Sequence, residues 1–394
     1  MPPFDPKRFD HVALLPNGID TAFGVPDTNL SGLLTYFSAT KPVKNHIVTA
    51  NEGAAVALAA GYHLSTGHVA MVYMQNSGLA NALNPLQSIA AKEVFGIPML
   101  LFIGWRGASA EEEELQDALV GPRLLGNLQA NDIPHEEIPT CIHRAKEAIS
   151  RLVAKAVRDK TPVALIAPRD TFQEYEIDKL PKFPFDFTAS HLGMKEWISA
   201  DPEHLPLSRE GAIRCVIDQM ARGDVSLSSL GGNSREYYMI RKKMRRSIAR
   251  NFFCIGAMGH VYALSYGVSI GFTSGRIFCI DGEGSFLMHA GNIALLAGIS
   301  PPNLIHIVIY NGVYASTGNH PVAMSRENLV SLARGLPYEQ KFFVDDLESL
   351  EKACRASRKS TLIIVAVNSS AQKNLPAPSE TPRELKGLFM KSLL

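Results

Sequence analysis

Six short apolar runs constrain the fold of this chain more than any other sequence feature. They are rich in β-branched residues, each is bounded by turn-forming residues, and they span 69–78, 98–105, 161–169, 275–282, 303–312 and 360–369. Apolar residues that run without alternation are typical of parallel strands covered on both faces. Helical patterns lie between the runs, over 52–67 and 145–160. The alternation predicts an α/β fold with two doubly wound parallel-sheet domains.

The length and one composition shift predict where these domains divide. The chain has 394 residues, which is more than a single hydrophobic core usually spans. Between Asp170 and Ser208 it becomes rich in proline, aromatic and charged residues, over a stretch too long for a strand–helix connection. We therefore predict a first domain over 1–180, a linker over 181–207 and a second domain over 208–394.

Charge and composition narrow the classes of partner. The net charge is +1, which gives no overall attraction to nucleic acid or to anionic membranes. No run of eighteen apolar residues occurs, and the first residues lack the apolar segment of a signal peptide. We expect a cytoplasmic protein that binds neither nucleic acid nor membrane.

The basic run over 241–246 predicts a solvated helix face, with Met244 and Ile248 turned inward, rather than a nucleic-acid patch.

The cysteines predict reduced thiols. They are odd in number, scattered, and without the spacing of zinc ligands. They stand at Cys141, Cys215, Cys254, Cys279 and Cys354.

Carboxylates and glycines follow the strand predicted over 275–282. Asp281 ends the apolar run, and Gly282, Glu283, Gly284 and Ser285 come next. The glycines would let a diphosphate approach the backbone closely, and the amino terminus of the following helix favours its negative charge. This stretch is therefore a candidate diphosphate-binding loop.

The next predicted strand ends at Asn311. Because neighbouring parallel strands end at the same edge of a sheet, we expect Asn311 beside Asp281. A carboxylate oxygen, an amide oxygen and the backbone carbonyl of Val313 form a ligand set that suits Mg²⁺. A helix cap made by Asp281 and a turn made by Asn311 remain the alternative explanation.

This pattern resembles the diphosphate-binding motif of the thiamine diphosphate enzymes. In that family an acid–glycine pair after a strand is followed, about 25 to 30 residues later, by an asparagine that ends the next strand. The match has two departures: Ile280 stands where the family usually has glycine, and Tyr310 where a second asparagine often stands.

The segment 49–67 resembles the family segment whose acid contacts the aminopyrimidine ring of the cofactor. The resemblance implies that Glu52 is this acid. Its hydrogen bond to the ring nitrogen would favour the imino tautomer that removes the proton from thiazolium C2. An acid that complements the dipole of its own helix is the alternative reading of Glu52.

The segment 252–267 resembles the part of the family that lies under the bend of the cofactor. By this resemblance Met258 would hold the two cofactor rings in a V, and the carbonyl of Gly256 would accept a hydrogen bond from the 4′-amino group. Packing between a helix and a strand is the alternative for both residues.

Strings along nearly the whole chain resemble the phosphonopyruvate decarboxylases and the related sulfopyruvate decarboxylases. They include 23–34, 72–107 and 232–238. The resemblance implies decarboxylation of 3-phosphonopyruvate to phosphonoacetaldehyde and CO₂, with sulfopyruvate or another short 2-oxoacid as the alternative substrate. Leu115-Gln116-Asp117 departs from a Pro-Gln-His segment of that group, and Leu230 stands where a threonine is usual.

A doubly charged substrate needs hydrogen-bond donors and positive charge. Our candidates for substrate contacts, each of which has an equally good structural explanation, are Asp27, Asn76, Arg235, His260, His289, Ser316 and Thr317.

Because Glu52 and the diphosphate motif lie in different domains, the resemblance implies a cofactor held between subunits of a homodimer or a dimer of dimers.

Other enzyme classes fit the sequence less well. Residues 267–271 read G-x-S-x-G, but helix-like residues precede Ser269 where a nucleophile elbow needs a strand. Neither a P-loop motif nor G-x-G-x-x-G occurs. A protein with the thiamine enzyme fold but without catalytic activity is disfavoured, because Glu52, Asp281 and Asn311 are retained.

Overall fold

The computed structural model describes residues 2–40, 42, 44–108, 114–177, 205–299, 301–369 and 375–393. The chain divides into two compact units, Met1–Pro184 and Phe185–Leu394. Most of the predicted linker, 181–204, lies outside the described residues.

The first unit contains a six-stranded sheet in which all neighbouring strands are parallel, in the order β2-β1-β3-β4-β6-β5. The strands are β1 Thr21–Gly24, β2 Asn45–Val48, β3 Met71–Gln75, β4 Met99–Gly104, β5 His135–Glu137 and β6 Pro162–Ala167. The helices are α1 Pro6–Phe9, α2 Ser31–Thr40, α3 Glu52–Thr66, α4 Leu79–Pro85, α5 Leu115–Val120, α6 Leu124–Ala130 and α7 Ile142–Asp159.

The second unit repeats this plan, with six parallel strands in the order β13-β14-β10-β9-β7-β8 and a separate two-stranded ribbon, β11-β12. Its strands are β7 Val225–Ser228, β8 Asn251–Phe253, β9 Ile277–Gly282, β10 Leu304–Tyr310, β11 Val313–Tyr314, β12 His320–Pro321, β13 Gln340–Val344 and β14 Thr361–Ala366. Its helices are α8 Arg209–Gln219, α9 Gly232–Lys243, α10 Val261–Gly271, α11 Glu283–Met288, α12 Ala290–Ala297, α13 Arg326–Gly335, α14 Leu347–Ala356 and α15 Pro382–Leu393.

The predicted fold class is confirmed. The six predicted strands correspond to β3, β4, β6, β9, β10 and β14, and the two predicted helices to α3 and α7. β4, β6 and β14 are buried at every position, and β3, β9 and β10 at every position but the last, as parallel strands with two covered faces require.

In each sheet the direction of strand addition reverses at a point after the second strand. In the first unit this point lies between β1 and β3, and in the second between β7 and β9. In open α/β sheets ligands bind outside the carboxyl ends of the strands at such a point, because the loops there diverge and leave a crevice. The fold thus marks one candidate site in each unit.

The basic run 241–246 differs from the prediction in part. The helix α9 ends at Lys243, and Arg245 has a left-handed backbone conformation with φ of 51°. Met244 and Ile248 nevertheless pack against the core, as expected. The predicted helix face is therefore a helix end followed by a turn.

The cysteine side chains are free thiols, and Cys254, Cys279 and Cys354 are buried. Within the described ranges, no cluster of three or more His, Cys, Asp or Glu side chains is arranged to hold a metal ion. Of the helices in the described part of the chain, none combines the length and apolar character needed to cross a membrane.

Candidate active site

A cavity of about 470 Å³ opens at the carboxyl edge of the second sheet, where strand addition reverses. Its wall is built by segments at the ends of three neighbouring strands: 229–233 after β7, 282–285 at the end of β9, and 311–316 after β10. Met258, Arg209 and Arg235 complete much of the lining. The volume lies in the range typical of small-molecule sites.

Two helices present their amino termini to this cavity. The helix α9 begins at Gly232, and α11 begins at Glu283. Backbone N–H groups without partners inside a helix, together with the helix dipole, make such ends favourable for phosphate groups. Ser285, which the sequence placed in this loop, lines the cavity, and its Oγ accepts a hydrogen bond from the backbone N–H of Gly259 at 3.0 Å. The cavity therefore suits a diphosphate.

Glu283 is the carboxylate on the cavity wall. Its Oε1 accepts hydrogen bonds from the backbone N–H groups of Asn311, at 3.0 Å, and of Gly312, at 2.8 Å. The residue is buried, and burial raises the pKa of its carboxyl to about 7 against the opposing effect of these N–H groups. A cation at this position would stabilise the charged form of the side chain.

Asp281 lies behind this wall and is not among the lining residues of the described chain. Its Oδ1 accepts a hydrogen bond from the backbone N–H of Gly282 at 2.9 Å, and Oδ2 lies 3.5 Å from Nε2 of His306. The other ring nitrogen of His306 lies 2.8 Å from the hydroxyl of Tyr338. Asp281 is 1% exposed and His306 is fully buried. Asp281 thus belongs to a buried polar chain beneath the cavity.

The register places Asp281 and Asn311 at different levels along their neighbouring strands. Asp281 pairs with Val308 on β10, so Asn311 stands three positions further along its strand. Gly282 pairs with Ile309, and the chain turns at Glu283, which meets Asn311 instead. Asn311 Oδ1 accepts a hydrogen bond from the backbone N–H of Val313 at 3.1 Å. The side-chain oxygens of Glu283 and Asn311 and the carbonyl of Val313 are the oxygen donors that could hold a metal.

The loop between β8 and α10 carries the other predicted cofactor contacts. Met258 lines the cavity, and Gly256 has φ of 66°, a conformation that glycine adopts without strain. His260 is buried and stacks on His289, with ring centroids 4.2 Å apart. Burial, reinforced by His289, lowers the pKa of His260 to about 3, so this ring is neutral at neutral pH. Neither histidine is among the cavity-lining residues described.

The positive charge of the cavity comes from two arginines. Arg235 was predicted; its Nη1 donates to the carbonyl oxygen of Leu375 at 3.3 Å. Arg209 was not predicted: it is buried and pairs through Nε with Glu236. Arg209 has no local sequence signal, because its partner lies 27 residues away.

The predicted hydroxyl residues Ser316 and Thr317 lie near the same wall, as does Leu230, which differs from the family pattern. Ser316 and Leu230 line the cavity. Thr317 is exposed, and its Oγ1 donates to the carbonyl oxygen of Tyr314 at 3.3 Å. Asn233 and Tyr314 also line the cavity and were not predicted.

In the first unit, polar side chains follow four neighbouring strands at the carboxyl edge of the sheet. Asp27 follows β1, Glu52 follows β2, Asn76 follows β3 and Arg106 follows β4. Because parallel strands end at one edge, residues 24 to 30 positions apart in sequence come together here.

Glu52 is buried at the first turn of α3. Its Oε2 accepts a hydrogen bond from Nδ2 of Asn81 at 2.9 Å. A Cβ on Gly78 would stand 2.2 Å from Oε1, so only glycine leaves room for this carboxylate. Asn81 and Gly78 were not predicted, yet together they fix the orientation of Glu52.

Asp27 is a second buried carboxylate at this edge, 4% exposed. Burial raises the pKa of its carboxyl to about 6, although the backbone N–H groups of Asn29 and Leu30 oppose the change. A Cβ on Gly104 would stand 1.9 Å from Oδ2 of Asp27, so the glycine that ends β4 admits this side chain. An acid with a pKa in this range can hold or release a proton near neutral pH.

Asn76 and the segment 115–117, which departs from the family pattern, both contact Arg106. Asn76 donates through Nδ2 to the carbonyl oxygen of Arg106 at 3.0 Å and accepts from its N–H at 3.1 Å. Asp117 is buried, with Oδ2 3.4 Å from Nε of Arg106, while Leu115 is 91% exposed. The segment thus supplies a carboxylate that orients Arg106.

Ser269 lies inside α10 and is buried, and its Oγ donates to the carbonyl oxygen of Tyr266 at 2.5 Å. This geometry is not a nucleophile elbow, which places the serine on a sharp turn after a strand.

Comparison with known families agrees with this geometry. Residues 12–123 match the model of the thiamine pyrophosphate enzyme N-terminal TPP-binding domain, and residues 230–365 match that of the C-terminal TPP-binding domain. The chain belongs to the thiamine pyrophosphate enzyme family. The prediction of a thiamine diphosphate-dependent enzyme is therefore confirmed.

Two relatives extend over nearly the whole chain. A phosphonopyruvate decarboxylase of Streptomyces viridochromogenes is 27% identical over 94% of this chain and 91% of its own length. A sulfopyruvate decarboxylase of Methanosarcina acetivorans is 25% identical over 95% of this chain and 94% of its own length. Among solved structures, benzoylformate decarboxylase from Polynucleobacter necessarius has a TM-score of 0.71 and 13% identity, covering 94% of this chain and all of the other, which shows a shared fold.

Proposed function

We propose that the protein is a thiamine diphosphate- and Mg²⁺-dependent decarboxylase of a short anionic 2-oxoacid, and that the substrate is 3-phosphonopyruvate. The observation that carries this proposal is the full-length similarity to phosphonopyruvate decarboxylase, joined to a buried Glu52 and a cavity suited to a diphosphate. The products would be phosphonoacetaldehyde and CO₂. Sulfopyruvate is the second candidate, because a sulfopyruvate decarboxylase is similar over nearly the same length.

Thiamine diphosphate, when bound, supplies the nucleophilic carbon and the electron sink of the reaction. The amino ends of α9 and α11 would hold its diphosphate. Met258 lines the same cavity and would support the cofactor at its bend, with the carbonyl of Gly256 as a hydrogen-bond acceptor. Glu52 would hold a proton at its carboxylate, in the orientation that Asn81 gives it.

We propose that Mg²⁺ is held by Glu283, Asn311 and the carbonyl of Val313, with Asp281 as a supporting carboxylate behind Glu283. Three oxygen donors on one cavity wall suit a hard dication. With Glu283 as the acid, Gly282 stands before it and Asn311 follows 28 positions later. The family pattern of glycine, acid and later asparagine is then met without the departure at Ile280.

The preference for a dianionic substrate would come from charged side chains. Arg235, on the exposed side of the cavity, and Arg209, in its buried wall, are the candidates in the second unit. Arg106, oriented by Asp117, is the candidate in the first. Asp27 would hold or release the proton that the product carbon needs, since its pKa is raised to about 6. We further propose a homodimer or dimer of dimers in which the cofactor is shared between subunits.

Incubation with thiamine diphosphate, Mg²⁺ and a panel of 2-oxoacids tests the substrate. We expect CO₂ release and phosphonoacetaldehyde to be fastest with 3-phosphonopyruvate, slower with sulfopyruvate and slowest with pyruvate. Faster turnover of sulfopyruvate would replace the substrate and keep the reaction class. No CO₂ from any panel member, with cofactor binding verified by calorimetry, would refute the proposed decarboxylation.

A further inference from the structure

A second cavity of the second unit lies away from the proposed active site and has a different chemistry. It measures about 580 Å³, and four arginines line it: Arg222, Arg241, Arg246 and Arg250. It lies at the opposite edge of the sheet, where β7 and β8 begin, next to the carboxyl end of α9. Two of its arginines belong to the basic run that the proposed reaction does not use.

Most of the positive charge in this cavity has no counter-charge among the described residues. Arg246 pairs with Asp218 at 2.8 Å. Asp224, the one carboxylate in the lining, is engaged by Arg276, with Nη2 and Oδ2 2.8 Å apart. Arg222, Arg241 and Arg250 form no ion pair within the described ranges, so three guanidinium charges remain uncompensated around one space.

Backbone carbonyls hold three of the arginines in place without neutralising them. Arg241 donates through Nε to the carbonyl oxygen of Ser247 at 3.2 Å, Arg246 through Nη1 to that of Ile217 at 2.9 Å, and Arg250 through Nη1 to that of Gly223 at 3.0 Å. Each guanidinium has five N–H donors, so each keeps donors for a ligand. The carbonyl of Ile217, in the last turn of α8, explains why Arg246 lies there. It does not explain why four guanidinium groups converge on one cavity.

Like charges crowd one another here. Arg241 is partly buried, and burial lowers the pKa of its guanidinium; Tyr237 opposes this change, and the charge of Arg246 adds to it. An anion in the cavity would remove this electrostatic cost. Planar guanidinium groups that present several donors are the side chains that best match the oxygens of a phosphate.

We infer that this cavity is a second anion site, which binds a phosphate-class dianion: free phosphate or the phosphoryl group of a small metabolite. The inference does not depend on the proposed decarboxylation. The helix α9 begins at the first cavity and ends at the second, so the two sites share one rigid element.

The test uses the full chain saturated with thiamine diphosphate and Mg²⁺, so that the diphosphate site is filled. Inorganic phosphate and adenosine monophosphate are titrated separately by calorimetry in chloride buffer, against wild type and the double variant R222Q/R250Q. The expected result is saturable binding to wild type that is weakened about tenfold or more in the double variant, because each charge-assisted bond typically contributes more than a kcal/mol. Arg222 is exposed and bonds to none of the described residues, so the change there should leave the fold intact.

The matched control is K243Q, a substitution of an exposed lysine at the end of α9 that does not line the cavity. Its affinity for phosphate should stay within about twofold of wild type, as expected for a screened surface charge. Equal binding of the two probes would identify phosphate itself as the determinant, and tighter binding of the nucleotide would identify a metabolite; both support the site. No saturable binding to wild type, or equal affinity in wild type and R222Q/R250Q, would overturn the inference.

Discussion

Replacement of Glu52 by glutamine separates catalysis from folding. The two side chains have the same size, so the narrow space above Gly78 is respected. The bond from Asn81 loses its charge assistance, and the first turn of α3 loses a favourable carboxylate. Together these changes cost about 1–2 kcal/mol of the free energy of unfolding. Loss of a positioned proton carrier typically costs about 10²- to 10⁴-fold in rate, or roughly 3–5 kcal/mol. The catalytic loss should therefore exceed the loss of stability.

The assay measures CO₂ release by E52Q at saturating thiamine diphosphate and Mg²⁺, with thermal unfolding of the same samples. Asn81→Ala is the matched control: it keeps the carboxylate, removes the bond that orients it, and should lose much less activity at a similar cost in stability. If E52Q keeps activity within about tenfold of wild type, which is less than proton-transfer catalysis typically contributes, then Glu52 is not the proton carrier.

Three further predictions concern the second unit and the edge at Asp27. Glu283→Gln should weaken Mn²⁺ binding, measured by electron paramagnetic resonance, by more than the roughly 10- to 100-fold typical of a supporting residue. Asp281→Asn should weaken Mn²⁺ binding only within that range. The reverse order would restore Asp281 as the ligand. The pKa of His260 is about 3 in the folded protein and 6.5 in an unfolded chain, so the unfolded state binds more protons as pH falls below 6.5. Wild type should therefore lose about 2 kcal/mol more stability between pH 7 and pH 5 than His260→Phe, by urea unfolding; parallel pH profiles would contradict this. Gly104→Ala should cost about 1–3 kcal/mol of unfolding free energy, because its Cβ would stand 1.9 Å from Asp27 Oδ2; an unchanged denaturation midpoint would contradict the close approach.

The strands that the sequence revealed are those buried along their length. β3, β4, β6, β9, β10 and β14 carry continuous apolar runs, which few other structures explain. The strands that it missed are short, and β2, β5, β8 and β13 are the edges of the two sheets. An edge strand is covered on fewer sides and tolerates polar residues, so "HEE" over His135–Glu137 carries no strand signal. β7 was missed because Ser226 and Ser228 interrupt its apolar residues.

The candidate site could be predicted where its residues directly follow a strand or begin a helix. The carboxyl ends of the strands at Glu52 and over 281–285 were found because acid and glycine follow an apolar run or begin a helix. The acid that approaches Asn311 was harder to predict, because Asp281 and Glu283 are two positions apart and the register of β9 against β10 decides which one comes near Asn311. Asn81 and Arg209 could not be found, since their roles depend on partners about 30 residues away.

The bonds from Glu283 to the backbone of Asn311 and Gly312 join two segments of the cavity wall through one carboxylate. The start of α11 and the loop after β10 therefore depend on the same side chain for their relative position. A substitution at Glu283 would loosen both segments together, so it would alter the shape of the cavity as well as its charge.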